Sequence, residues 1–334
     1  MKNSKLPGIR PPAAKPVAAR PMGAGVLNPD RTMSAGSWTL LIVLSVLWGS
    51  SFFFVAVAVE ELQPFTIVFF RVFLAALVLV VFIWAGGERL PATRKAWSAL
   101  VVVGLLNNAV PFSLIAWGQS HIASGLAAVL ITMSAIFTAV LAHFFTEDEK
   151  LAGHRFGGAV VSLAGVAVIV GGQALESLGV DVLAQGAVLA AALCYAFAAI
   201  YARRVYGLGV TPTAMAAGQA VVAAVVLLPL VVWIDAPWQL PVPGVWTIVS
   251  VICLGVLSSA VAYFIYFKLL SDVGAANVTL VTVLVPVSAL ILGILILGEI
   301  LTVRHLAGIA LVGLGLAIVD GRPWRFMASR FSGG

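Results

Sequence analysis

The sequence predicts an all-α integral membrane protein with ten transmembrane helices in two inverted five-helix repeats. Three observations predict it. Of the 334 residues, 62% are hydrophobic and 10% charged, with a mean hydropathy of +1.11. A soluble domain averages about 45–50% apolar and about 25% charged, so water is the wrong solvent for this chain. Ten apolar runs approach the ~20 residues that a helix needs to cross a bilayer. Finally, landmarks recur at a spacing of 150 residues. The runs are too long for strands and lack strict two-residue alternation, which argues against a β-barrel. A helix also satisfies its own backbone in lipid.

Residues 1–37 carry Pro7, Pro11, Pro12, Pro16, Pro21 and Pro29 among scattered Lys and Arg, which predicts a disordered basic tail. Span one, 38–59, contains Trp48 and the small run Gly49-Ser50-Ser51. Span two, 65–85, follows Pro64 and holds Arg71. An intramembrane cation costs about 2.5–3.5 kcal/mol on insertion scales, so it faces the bundle or a cavity. Arg71 either holds a substrate carboxylate or serves structure, snorkelling or pairing with Glu60 or Glu61. Span three, 97–118, contains Asn107, Asn108, Pro111 and Trp117. Pro111 lacks a backbone donor and is expected to kink the helix. The paired amides need partners in lipid, as glue between helices or as substrate donors. Span four is 122–145. Glu149 heads span five, 153–172. Span six, 179–202, carries Cys194 and Tyr195. Pro212 heads span seven, 211–235. Span eight, 244–268, holds Ser258, Ser259 and Tyr263. Span nine, 275–297, contains Pro286, a candidate hinge. Glu299 heads span ten, 302–321, and residues 322–334 form a second tail.

Seventeen of the nineteen Lys and Arg residues fall on one side of these spans; Arg304 lies on the other and Arg71 within. Cations resist translocation, so both termini are expected in the cytoplasm. The net charge of +6 therefore reads as topology, not as nucleic-acid binding. The repeats run from 38–172 and 179–321. Glu149, Gly158 and Gly165 match Glu299, Gly308 and Gly315 at the common offset of 150, and Arg71 falls opposite Gln219 when Pro64 is set on Pro212. An odd number of helices per repeat inverts the second repeat, which is the architecture of alternating-access transporters. The matched acids suit helix caps or gate edges.

The segments "LWGSSFFFVAVAVEELQPFTIVFFRVFLAALVLV" and "LVPVSALILGILILGEILTVRHLAGIALVGLGLAIV" resemble the opening and closing helices of the EamA-type repeat of the drug/metabolite transporter superfamily. Within it the chain looks most like exporters of aromatic amino acids of the YddG type. The resemblance implies a bacterial inner-membrane exporter whose central cavity is lined by spans one, three, four, six, eight and nine. Candidate lining residues are Trp48, Ser51, Asn107, Asn108, Trp117, Ser134, Tyr195, Ser259 and Tyr263. Arg71, Pro111, Glu149, Pro286 and Glu299 are candidates for gating or structure. The expected partners are lipid and a small substrate, an amino acid or similar metabolite. A drug or nucleotide-sugar carrier is the alternative, disfavoured because Arg71 is the lone intramembrane cation. No phosphate-binding G-x-x-x-x-G-K-[ST], HExxH or CxxC motif occurs, so neither an ATPase subunit, a cofactor, a metal nor an enzymatic activity is expected. A sensor would need an output domain that the chain lacks room for.

Overall fold

The computed structural model describes residues 33–145, 153–176 and 179–320. Glu149 and residues 1–32 and 322–334 of the predicted tails lie outside them. Ten principal helices run through the described residues. They are α1 (Ala35–Ala58), α2 (Pro64–Ala85), α3 (Arg94–Gln119), α4 (Ser124–Phe145) and α5 (Gly153–Glu176) in the first half. The second half comprises α6 (Val180–Tyr206), α7 (Pro212–Leu230), α8 (Val245–Val273), α9 (Val281–Leu297) and α10 (Val303–Asp320). Local chemistry sets the starts. Ser34 Oγ accepts from Ser37 N at α1, Thr93 Oγ1 from Ala96 N at α3 and Thr211 Oγ1 from Ala214 N at α7. Pro64 and Pro212 occupy first helical positions, where a missing N–H costs nothing.

The most extensive helix contacts follow a two-fold exchange of halves. The pair α1–α9 maps onto α4–α6, α1–α8 onto α3–α6, and α2–α8 onto α3–α7. The pairs α2–α7, α4–α9 and α5–α10 map onto themselves. Two of the three π turns follow the same rule; the third, Val231–Asp235, has no counterpart after α2. A π-helical turn at Leu105–Ala109 interrupts α3, and another at Val256–Val261 interrupts α8. In α4 the Thr132 hydroxyl donates to Val129 O at 2.6 Å; 150 residues on, Thr282 donates to Thr279 O at 2.7 Å. Each bond sits where its helix is broken, at Thr132 in α4 and just before α9.

Two expectations change accordingly. The run 275–297 is divided: a single turn, Ala275–Val278, precedes α9, and Pro286 lies inside an unbroken helix. The bend in that run is set by Thr279 and Leu280 ahead of Pro286. Pro111 does not break α3; the π turn just before it absorbs the lost donor by shifting the register.

The matched glycines make α5–α10 the tightest crossing. A Cβ on Gly158 would lie 2.6 Å from Gly315 O, and one on Gly165 would lie 2.8 Å from Gly308 O. Both obstacles are backbone, which cannot rotate away. Ser162 donates to Val312 O across the same seam at 3.3 Å. Small residues let two helices approach in lipid, where no hydrophobic force drives them together. Replacing Gly165 by Leu is expected to cost about 1–3 kcal/mol by overpacking. The check is a lower Tm of the purified protein, with Gly157→Leu, whose Cβ position is open, as the tolerated control.

Candidate functional site

Arg71 lies within α2, 7% exposed. Its Nε donates to Ser259 Oγ at 3.1 Å, and its Cζ sits 3.8 Å over the Phe112 ring. Neither Glu60 nor Glu61 pairs with it: among the described residues no carboxylate reaches Arg71, and Glu61 accepts instead from Gly244 N. Desolvating a guanidinium costs several kcal/mol. A buried cation–π contact returns about 2 kcal/mol and a hydrogen bond to the charged group about 1.5–3 kcal/mol. Neither supplies a counter-charge. The Phe112 ring meets Tyr195 edge-on at 6.4 Å, and the phenols of Tyr195 and Tyr263 lie within electrostatic reach of the guanidinium.

A second branch starts on α7. Gln219 is 1% exposed; its Oε1 accepts from Asn107 Nδ2 at 3.1 Å, and its Nε2 donates to Tyr263 OH at 3.2 Å. Asn107 Nδ2 also approaches Tyr263 OH at 3.5 Å. The two branches are counterparts. Arg71 of α2 bonds Ser259 in the π turn of α8, and Gln219 of α7 bonds Asn107 in the π turn of α3. A π turn adds a residue and swings its side chains towards the facing helix, as functional helix bulges commonly do. The site is thus the meeting of two equivalent pairs, one charged and one neutral.

Of the residues singled out from the sequence, Arg71, Asn107, Tyr195, Ser259 and Tyr263 come together here. Others lie apart. Trp48 packs on Tyr266 at 5.6 Å, and Trp117 on His121 at 4.9 Å. Ser51 Oγ bonds Trp48 O within its own helix, and Ser134 O accepts from Thr138 within α4. Asn108 is buried but makes none of the network bonds. Gln219 and Phe112 are not among the sequence candidates. The alignment of Gln219 with Arg71 carries the signal for the first; nothing in the sequence marks Phe112.

Four carboxylates bind the halves together at helix starts. Asp235, ending the π turn Val231–Asp235 that follows α7, accepts from Thr66 N at 2.6 Å and Thr66 Oγ1 at 2.8 Å at the head of α2. Glu88, after α2, accepts from Thr211 Oγ1 at 3.0 Å and Thr213 Oγ1 at 2.7 Å at the head of α7. Glu61 of the first half meets Gly244 N before α8. Glu299 takes Ser124 N at 2.6 Å and Gly125 N at 3.0 Å, which corrects its expected role: it caps α4, not the helix it precedes. The start of α10 is served by Thr302, which accepts from His305 N at 3.3 Å. Every one of these four acids reaches into the opposite half. Three of them, Glu61, Asp235 and Glu299, share the end of the bundle where α1, α3, α7 and α9 finish.

The two structural halves coincide with two matches to one family model, described as the EamA-like transporter family, over residues 36–171 and 183–319. The chain belongs to that family. It is a multi-pass membrane transporter with two EamA-like repeats. Among its relatives is the uncharacterized inner membrane transporter YedA of Escherichia coli K12, 27% identical over 85% of this chain and 92% of that protein. A probable terminal-alkyne amino-acid exporter of Streptantibioticus cattleyicolor is 28% identical over 87% of this chain and 95% of its own length. A probable amino-acid metabolite efflux pump of Escherichia coli K12 is 26% identical over 88% and 98%.

In this EamA-like chain Glu299→Ala leaves two N–H groups of α4 without their charged acceptor. The expected cost is about 1–3 kcal/mol. A fall in Tm of the purified protein, larger than that of the exposed Glu60→Ala, is the measurement.

Proposed function

We propose that this transporter exports amino acids, aromatic or other large neutral ones, across the bacterial inner membrane by alternating access. The observation that carries the reading is Arg71, a buried guanidinium with no carboxylate partner among the described residues. A substrate carboxylate supplies the missing charge and can bind a planar guanidinium through two parallel bonds. Phe112 and Tyr195 stand beside it as an apolar wall for a large side chain. The Asn107 carbonyl oxygen accepts nothing from the described residues and suits the substrate's ammonium group. The names of two relatives, an amino-acid exporter and an amino-acid metabolite efflux pump, point the same way. A nucleotide sugar would call for more than one intramembrane cation.

In this reading both termini face the cytoplasm, so the Glu299 end faces out. The cross-half caps exchange as the repeats rock, and the breaks at Thr132 and Thr279 give α4 and the α9 run room to bend. No ATP-driven subunit is needed. The test is counterflow of radiolabelled phenylalanine into proteoliposomes. Wild-type protein is expected to accumulate label above empty vesicles. Arg71→Gln should slow this about 10–100-fold, the value of one hydrogen-bonded charge pair, with the elution profile unchanged. Accumulation no higher than in empty vesicles overturns the reading.

A further inference from the structure

The Arg71 site is rich in free donors and poor in acceptors. Arg71 is 7% exposed, and its Nε is engaged by Ser259 Oγ, which leaves the edge formed by Nη1 and Nη2. Neither Nη has a hydrogen-bond partner among the described residues, yet both keep accessible surface. The Tyr195 hydroxyl is in the same condition, unpartnered among the described residues and not sealed off. Tyr263 OH accepts from Gln219 Nε2 at 3.2 Å and lies 3.5 Å from Asn107 Nδ2. Both its lone pairs therefore face donors, and its own proton remains to be given. Against these donors stands one open acceptor, Asn107 Oδ1, which also keeps accessible surface.

The charge of the site is unbalanced in the same sense. Within the ten helices, the described Asp and Glu residues occur only in first or last turns. The acids that join the halves already accept from backbone N–H or threonine groups at the helix ends. Arg71 thus carries the one formal charge of the site. A zwitterionic amino acid answers it with a carboxylate but leaves an ammonium in the bundle, where the site offers a neutral amide oxygen and no acid. Desolvating an ammonium without a counter-charge is unfavourable. A monocarboxylate without an ammonium leaves the occupied site neutral, and its ring still meets Phe112 and Tyr195. We infer that the Arg71 site binds aryl monocarboxylates whose 2-position is uncharged, and binds them more tightly than the matching amino acids. A 2-hydroxyl or the N–H of an acylated 2-amino group suits Asn107 Oδ1 as a neutral donor. This preference rests on the carboxylate-binding role proposed for Arg71 and narrows the substrate class within it.

The test titrates the full chain in phosphatidylcholine nanodiscs, at neutral pH, with 3-phenylpropionate, L-phenylalanine and 2-phenylethylamine, the heats from empty nanodiscs being subtracted. The three ligands share a ring and a two-carbon stem and differ in the charges they carry. Calorimetry is expected to show 3-phenylpropionate bound about tenfold more tightly than L-phenylalanine, and no saturable binding of 2-phenylethylamine. Arg71→Gln should weaken 3-phenylpropionate at least about tenfold. Asn107→Asp places an acid where the ammonium would lie, so it should reverse the order and make L-phenylalanine the tighter ligand, a reversal that structural damage alone does not produce. If that variant does not fold, the order of the ligands on the wild-type protein decides. L-phenylalanine bound as tightly as 3-phenylpropionate, or more tightly, overturns the inference and leaves the amino-acid reading standing. Binding of 3-phenylpropionate unchanged in Arg71→Gln also overturns it. No saturable binding of either carboxylate overturns both.

Discussion

In a bilayer, the first N–H groups of each helix have neither an intrahelical partner nor ready water, and something must accept from them. At α1, α3, α7 and α10 a local hydroxyl does so, and at α2, α4 and α8 the other half provides it. Asp235 and Glu299 accept N–H bonds at α2 and α4 and Glu61 one ahead of α8, while Glu88 accepts from the threonine hydroxyls at the head of α7. These bonds span the interface between the repeats. The interface is therefore held by a few directional, charge-assisted contacts at its rims. The glycine crossing of α5 with α10 is the opposite kind of contact, close and backbone-limited.

The centre shows what duplication followed by divergence achieves. Both halves retain a π turn in their third helix, and each turn faces the second helix of the other half. Identical chemistry in both pairs would have put two buried guanidinium groups side by side, each repelling the other in a medium of low dielectric constant. Gln219 in the Arg71 position leaves one positive charge and one neutral hydrogen-bonding amide. A symmetric scaffold thereby acquires a polar direction, with a cationic side and an amide side.

Much of this is legible in the residues. Ten runs, the division of the cations and the recurring Glu-Gly-Gly landmarks are direct consequences of lipid, topology and duplication, and each leaves a mark on the linear chain. Arg71 is legible because charge inside a span is rare. Phe112 is not, being one of eighteen phenylalanines in a chain where an aromatic ring needs no special reason. Glu299 is recognisable as a cap, but its target lies 175 residues earlier, and no local pattern encodes that distance. Pro286 is the strongest breaker in its run, yet the break ahead of α9 is marked by a threonine bonded to its own preceding turn. Threonine in an apolar run looks like any small residue until its hydroxyl is placed.

The reciprocal acids also bear on how the chain is made. During synthesis α2 emerges 169 residues ahead of Asp235, and α4 emerges 175 residues ahead of Glu299. The nascent first half therefore leaves the insertion machinery with two helix starts still borrowing headgroups or water as acceptors. Its maturation is completed only by its twin. A prematurely terminated chain would carry those unmet amides as a chemical signature of incompleteness, available to whatever surveys the membrane for unfinished proteins.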